Sequence, residues 1–146
     1  MLQDTNIGTI DQEVANPDPW FPGLNLKDFQ ELYRIPGHAP RTLERQVLIA
    51  MADCNTRLAV WRSEREAQGV DALPDEQRLD YEEAVFARAY AELIPLLPSV
   101  VTDERAREEI AGLKQHPSEF IGKCDARLAR IVGLEGGRRR LRSAVI

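Results

Sequence analysis

Apolar residues recur at helical spacing through the middle of the chain. The longest apolar stripe lies within residues 43–68, and its members are separated by 4, 4, 3, 4 and 3 positions: Leu43, Val47, Met51, Cys54, Leu58 and Trp61. This spacing keeps the side chains on one face of an α-helix. Thr42 can cap the helix at its start, and Gly69 can end it. The pattern therefore predicts one continuous helix over 43–68 with a buried face.

Further helices are predicted on both sides of this stripe. They cover residues 25–35, 74–94 and 118–132. Asn25 is a good N-cap for the first of them, Pro74 opens the second, and Gly133 ends the third. A short helix is expected over 102–113. The last long helix has an apolar side made of Ile121, Cys124, Leu128 and Ile131.

The predicted helix over 74–94 differs from the others because it has two apolar stripes. One stripe consists of Tyr81, Val85 and Ala89, and the other of Phe86, Tyr90 and Leu93. A helix with two apolar faces packs on both sides, so we expect it at the centre of a bundle. The following stretch, Leu93–Val101, stays mostly apolar although prolines interrupt it, and it needs cover from the fold or from another subunit.

Both ends of the chain lack a helical period. Residues 1–23 hold Pro17, Pro19 and Pro22, which favour extended backbone. Trp20 and Phe21 follow Pro19 directly, and we expect these aromatic side chains to dock on this domain or on a neighbour. No stretch shows a convincing strand pair with a hairpin signal. We therefore predict an all-α fold, a small bundle of four main helices plus a short one over 24–133. It lies between an extended acidic N-terminal segment (residues 1–23) and an extended basic C-terminal segment (residues 134–146).

Charge is distributed unevenly along the chain. The 146 residues suffice for one domain, and their 29% charged and 43% apolar content is typical of a globular protein. The net charge of -5 argues against general coating of nucleic acid. Residues 1–26 hold four acidic side chains and no Lys or Arg, whereas residues 134–146 hold four arginines against one glutamate. Oppositely charged ends indicate arms that meet another molecule, or solvated chain ends.

Residues that carry enzyme or metal chemistry are sparse. Cys54 and Cys124 lie 70 positions apart without CxxC spacing, so neither a disulfide framework nor a zinc motif is indicated, and we interpret Cys54 as a small buried hydrophobe. His38 and His116 lie in proline-containing turns, and no zinc-protease, phosphate-loop or serine-nucleophile motif occurs. We expect no enzyme, no cofactor and no metal. No apolar run is long enough for a membrane-spanning helix.

A series of short motifs, taken in order, resembles one known family. The motifs are Phe21-Pro22, Tyr33-Arg34-Ile35-Pro36, Thr42 with Arg45, Ala50-Met51, Cys54-Asn55, Leu58 with Trp61-Arg62, Gly69 with Leu73-Pro74, Tyr81 through Leu93, and Arg130-Ile131 with Gly133 and the terminal Val145-Ile146. Their order and spacing over roughly residues 20–94 and 124–146 resemble the head-completion proteins (GPL type) of contractile-tailed temperate phages.

This resemblance implies a structural virion protein at the head-tail junction, made in the cytoplasm of a bacterial host. The family is similar to head-to-tail connector adaptors, which implies a helical subunit of a dodecameric ring beneath the portal of a DNA-filled capsid. Such a ring joins the portal to the neck and helps to retain the packaged genome. The implied partners are the portal protein, neighbouring copies of the chain, and a neck or tail-terminator protein.

The C-terminal segment is the candidate portal-binding site. Gly136 and Gly137 provide a hinge after the last helix. The aliphatic residues beyond the hinge can add a strand to a portal sheet, and the arginines favour portal carboxylates over non-specific contact with DNA phosphates in the channel. The candidate portal contacts are Arg138, Arg139, Arg140, Leu141, Arg142, Ala144, Val145 and Ile146.

A second set of residues is the candidate contact with a neighbouring subunit or with the neck. It consists of Trp20, Phe21, Pro22, Leu96 and Leu97. An alternative function is a small helical regulatory or nucleic-acid-binding protein with a basic C-terminal segment. That alternative predicts a monomer or dimer whose affinity for DNA collapses as salt is added.

Overall fold

The structure, a computed structural model, describes residues 8–37, 39–97 and 116–133. These residues are mostly helical, as predicted, and include a small two-stranded sheet. The elements in chain order are β1 (Glu13–Val14), β2 (Leu24–Asn25), α1 (Leu26–Tyr33), α2 (Pro40–Arg57), α3 (Ala59–Ala67), α4 (Arg78–Leu93) and α5 (Pro117–Val132). Short 3-10 turns at Asp75–Gln77 and Ile94–Leu96 flank α4. The predicted short helix over 102–113 lies outside the described residues.

Helix α4 is the central element, packed against both α2 and α5. Both predicted apolar stripes are buried: Tyr81, Val85, Ala89, Phe86, Tyr90 and Leu93. Phe86 stacks on Phe29 of α1 with ring centroids 5.1 Å apart, while Tyr90 meets Phe120 of α5 edge to face at 4.8 Å. The double stripe therefore reflects a helix that packs against neighbours on two sides.

The predicted continuous helix over 43–68 is wrong in one detail, because it divides at Leu58. There the backbone departs from helical angles (φ −94°, ψ 3°), and α2 ends and α3 begins. The Thr56 hydroxyl donates a hydrogen bond to the Ala52 carbonyl at 2.9 Å, a contact that often bends helices. The apolar stripe continues through the bend, since Leu58 and Trp61 are both buried. Helix α2 also starts earlier than predicted, with Pro40 in its first turn.

The two strands were not expected from the sequence. They pair antiparallel, with Val14 opposite Leu24 and Glu13 opposite Asn25. Each strand has two residues, too few to show an alternating pattern. Since β1 lies in the N-terminal segment and β2 just after it, the sheet joins the described part of that segment, residues 8–23, to the chain that enters α1. The predicted division of the chain at residue 23 stays a prediction.

Helix ends follow the predicted caps at Asn25 and Gly133, whereas the predicted Thr42 cap is wrong, because Thr42 lies inside α2, whose N-cap is Ala39. The Asn25 side chain accepts a hydrogen bond from the Lys27 amide at the start of α1, and Gly133 follows α5 as its C-cap. One predicted core residue differs, because Ile121 is 38% exposed and Phe120 faces the core in its place. No helix in the described part of the chain is long and apolar enough to span a membrane.

Candidate functional site

A ring of three side chains holds the loop between the strands against the helices. The Asn16 side-chain amide donates to the Tyr81 hydroxyl at 2.7 Å, and that hydroxyl donates to the Asn55 side-chain oxygen at 2.6 Å. Asn55 closes the ring by donating to the Asn16 side-chain oxygen at 2.9 Å. Burial of Tyr81 raises the pKa of its hydroxyl, so the phenol stays protonated and can donate. The ring connects the N-terminal segment to both α2 and α4.

An aromatic cluster with a cation covers this ring. Trp20 meets Trp61 of α3 edge to face, with ring centroids 5.9 Å apart, and Phe21 stacks on Tyr81 at 5.0 Å. The Arg62 guanidinium lies 5.4 Å from the centroid of the Trp20 ring and forms an ion pair with Asp18. Two hydrogen bonds with backbone groups complete the docking of Trp20. Its indole N–H donates to the Val70 carbonyl, and its backbone carbonyl accepts from the Leu73 amide.

Gln30 anchors the described start of the chain. This buried side chain accepts a hydrogen bond from the Ile10 amide at 2.8 Å and donates to the carbonyls of Gly8 and Ile35 at 3.2 and 2.9 Å. Burying a side-chain amide costs considerable free energy unless the amide is hydrogen-bonded. The sequence does carry a signal for it, because Gln30 falls on the same face of α1 as Leu26 and Phe29.

Trp20 and Phe21 are buried within this chain. Only 5% of Trp20 and 3% of Phe21 is exposed, so both rings are anchors of this chain's own core. The sequence allowed these rings to dock on this domain or on a neighbour, and the structure shows them docked on this domain. Pro22 is half-buried beside them. A contact of this region with another subunit stays a prediction.

Leu96 and Leu97 differ in burial. Leu97 is buried in the core, whereas Leu96 is 37% exposed just after α4. The remainder of the apolar stretch after Leu97 lies outside the described residues, as do the hinge glycines and every candidate portal contact in the C-terminal segment. The roles predicted for Leu96 and for the C-terminal segment therefore stay predictions.

A cluster of charges fixes the helix from which the C-terminal segment departs. On α4, Asp80 and Glu83 face Arg127 and Arg130 of α5. The Arg127 guanidinium contacts Asp80 at 2.9 Å and Glu83 at 2.6 Å, and the Arg130 Nε atom lies 3.2 Å from Asp80. The Asp80 side chain is only 12% exposed, so its charge needs these partners. The last turn of α5 is thereby held on the first turn of α4.

This charge cluster was not predicted from the sequence, although the sequence carries a signal for it. Each pair is spaced three residues apart on its helix, which places both members on one face. The pairing of helices α4 and α5 is not visible from spacing alone. It becomes clear only from the structure, where Asp80 meets Arg130 near one end and Tyr90 meets Phe120 near the other, so that the helices run antiparallel.

An open cleft of about 470 Å³ runs along the same helix pair, from Glu83 and Arg127 of the charge cluster to Phe120. Tyr33 forms part of its wall and stacks on Tyr90 with ring centroids 4.3 Å apart. Burial, together with the charge of Glu83, raises the pKa of Tyr33 to about 12. The cleft has a mixed lining: Leu32, Tyr33, Glu83, Ala87, Phe120, Lys123, Ala126 and Arg127. Over residues 8–37, 39–97 and 116–133, no group of three or more side chains is arranged to hold a metal ion.

Comparison with known proteins gives one family. The model of the phage head completion protein (GPL) family matches residues 14–141. The matched stretch begins in β1, includes the charge cluster and the ring formed by Asn16, Asn55 and Tyr81, and extends into the C-terminal segment. Neither the curated proteins nor the solved structures give a match.

Proposed function

Because the chain belongs to the phage head completion protein (GPL) family, we propose that it is a head-to-tail connector adaptor of the virion. Membership confirms the predicted family and gives the chain a structural role in phage head assembly. In the proposed arrangement, copies form a ring beneath the portal, join the capsid to the neck or tail-terminator protein and help to retain the packaged DNA. The family match over residues 14–141 is the observation that carries this proposal.

The described contacts support a rigid body that presents its C-terminal segment from a fixed place. Asp80 is held by Arg127 and Arg130, and the Gly133 amide donates to the Ala129 carbonyl at 2.7 Å at the end of α5. The chain beyond Gly133 therefore starts from a helix end that is tied to α4. A defined starting point lowers the entropy lost when an attached segment binds a partner.

The proposed portal contact is weak in one subunit and strong in a ring. Burying Leu141, Val145 and Ile146 contributes roughly 1.5–3 kcal/mol each. Ordering residues 138–146 costs about 1–2 kcal/mol per residue in backbone entropy. Backbone hydrogen bonds to a portal strand and ion pairs of the arginines offset part of that cost. Because the subunits of a ring are joined, binding of one C-terminal segment to the portal makes binding of the next effectively intramolecular. The affinity of the whole ring for the portal therefore far exceeds that of one subunit.

Deleting residues 138–146 tests the proposed portal contact. We expect helicity measured by circular dichroism to persist, because these residues follow the last helix, and co-sedimentation with the portal protein to be lost. A matched variant replaces the four arginines of this stretch by glutamine and keeps its aliphatic residues. Weaker binding by this variant indicates portal carboxylates as partners. Full portal binding by the deletion variant would refute the proposed contact.

The basic C-terminal segment also supports a second candidate, a nucleic-acid-binding regulator. Its four arginines could contact DNA phosphates. Binding of double-stranded DNA by the full chain, measured at increasing salt concentration, separates the two functions. Tight binding that falls steeply with salt and disappears with the deletion favours the regulator, whereas negligible DNA binding alongside portal binding favours the adaptor.

A further inference from the structure

The two cysteines, which are far apart in the sequence, meet in the core. The sulfur atoms of Cys54 on α2 and Cys124 on α5 lie 3.8 Å apart, and both residues are fully buried free thiols. A disulfide bond requires sulfur atoms about 2.05 Å apart. The sulfurs therefore have to approach by less than about 2 Å, a distance within reach of modest changes in side-chain torsion angles and helix packing.

The surroundings of the two thiols are different. One Arg57 guanidinium nitrogen lies 3.9 Å from the Cys124 sulfur, and another donates to Asp125 at 2.6 Å. The hydrogen bond with Cys54 and the charge of Arg57 lower the pKa of the Cys124 thiol. The same hydrogen bond, together with burial, raises the pKa of Cys54. Cys124 is thus the sulfur that more readily becomes a thiolate, which is the reactive form.

We propose that Cys54 and Cys124 form a redox site, a dithiol that low-molecular-weight disulfides oxidise to a covalent cross-link between α2 and α5. The juxtaposition of two buried sulfurs beside one guanidinium is the observation that carries this inference. It does not depend on the proposed function, because it concerns the covalent state of the core alone.

The reaction consists of two thiol-disulfide exchanges. The Cys124 thiolate attacks one sulfur of the oxidant, whose disulfide bond breaks and releases one thiolate. Cys54 then gives its proton to the released thiolate, and its sulfur attacks the Cys124 sulfur of the mixed disulfide, so that the second sulfur of the oxidant leaves as a thiolate. That thiolate takes up the proton that Cys124 released to solvent when it ionised. The protein loses two hydrogen atoms in total, and the oxidant is reduced to two thiols.

The cross-link would close a loop that includes α3 and α4. Linking residues 70 positions apart restricts the unfolded chain strongly, which stabilises the folded state provided that native packing tolerates the bond. A reducing compartment keeps the thiols free, whereas an oxidising one allows the link to persist. The site would thus make the subunit more stable outside a reducing cytoplasm.

Access of the oxidant determines how the experiment is designed. Both thiols are buried, and the Arg57 side chain above them is only 18% exposed. We therefore refold the full chain from urea in two buffers, one with reduced and oxidised glutathione and one with dithiothreitol. The readouts are free thiols after denaturation, intact mass, non-reducing electrophoresis and the melting temperature. Cys54→Ala and Cys124→Ala are the matched controls, since neither can form the internal link.

The expected product in glutathione buffer is a monomer that lacks both free thiols, weighs two hydrogen atoms less and melts about 10 °C higher than the reduced protein. The single variants should show neither the mass loss nor the gain in melting temperature. Persisting free thiols, glutathione adducts on both cysteines or disulfide-linked dimers would each overturn the proposal. A cross-linked monomer that melts below the reduced protein would overturn it too, because native packing would then oppose the bond.

Discussion

Three side chains, Asn16, Asn55 and Tyr81, hydrogen-bond to one another where the N-terminal segment meets the helices. Each donates one hydrogen bond and accepts another within the ring, so polar groups enter the interior without the full cost of lost hydration. The same holds at Gln30, whose side-chain amide keeps three hydrogen bonds, all to backbone groups, when it is buried. At the scale of single residues, polar side chains and the two aromatic rings of Trp20 and Phe21 together attach the described N-terminal segment.

Replacing Trp20 by alanine should therefore reduce folding stability. The substitution leaves a cavity beside Trp61 and Phe21, and truncation of a buried Trp typically costs about 3–5 kcal/mol. Urea unfolding followed by circular dichroism measures this loss. The control is Val60→Ala on α3, where the side chain is 63% exposed and a change within about 0.5 kcal/mol is expected. An unchanged unfolding midpoint in Trp20→Ala would contradict the burial of this ring.

Tyr33 should make folding stability depend on alkaline pH. Its pKa in the folded state is about 12, whereas an unfolded chain ionises tyrosine near pH 10. A raised folded pKa contributes stability that is complete below pH ~10 and is lost as pH rises towards about 12, because the unfolded state releases its proton first. Tyr81, whose pKa is also raised, acts in the same direction.

Urea unfolding at pH 8 and at several values above pH 10 tests this dependence. Tyr33→Phe, which cannot ionise, should lose less stability across that range than the unsubstituted chain, and Tyr81 should account for part of the remainder. Identical losses in the two proteins would show that the environment of Tyr33 does not favour its protonated form.

At the scale of elements, the antiparallel pair α4 and α5 is held by different interactions along its length. Aromatic packing of Tyr90 on Phe120 dominates near one end, and ion pairs of Asp80 and Glu83 with Arg127 and Arg130 dominate near the other. Disrupting a buried ion pair leaves the remaining partners without compensation, so a change at the weakly exposed Asp80 should cost more than a change in an exposed pair.

Asp80→Asn tests the role of the charge cluster. The substitution removes the carboxylate charge that Arg127 and Arg130 share, and we expect the free energy of unfolding to fall by about 1–2 kcal/mol. Glu92→Gln removes a carboxylate that is 46% exposed and pairs with Arg88, so its effect should stay within about 0.5 kcal/mol. Equal effects in urea unfolding would contradict the special position of Asp80.

At the scale of the whole molecule, the adaptor proposal makes oligomeric state depend on a partner. Each subunit alone folds around its own core, since the described aromatic residues at the N-terminal segment are already buried within the chain. Light scattering coupled to size exclusion should therefore show a monomer in isolation and a ring only when the portal protein is added. A stable ring without the portal would refute this dependence, and a DNA-binding dimer would favour the regulator.

The apolar period along the chain determined most of the helical fold. The stripes of residues 43–61 and 81–93 could be predicted because helical spacing and burial are local properties of neighbouring side chains. The caps at Asn25 and Gly133 followed from backbone chemistry of the same short range. The family could be recognised for a related reason, since an ordered set of short motifs is itself a property of the sequence.

Contacts between distant residues were decided only by the tertiary structure. The pairing of β1 with β2, the ring of Asn16, Asn55 and Tyr81, and the approach of Cys54 to Cys124 each join positions whose spacing carries no period. Their energies depend on the packing of α2, α4 and α5, and not on any preference of the local chain. The sequence by itself thus determined the helices and their buried faces, whereas three-dimensional packing determined which polar and reactive side chains meet.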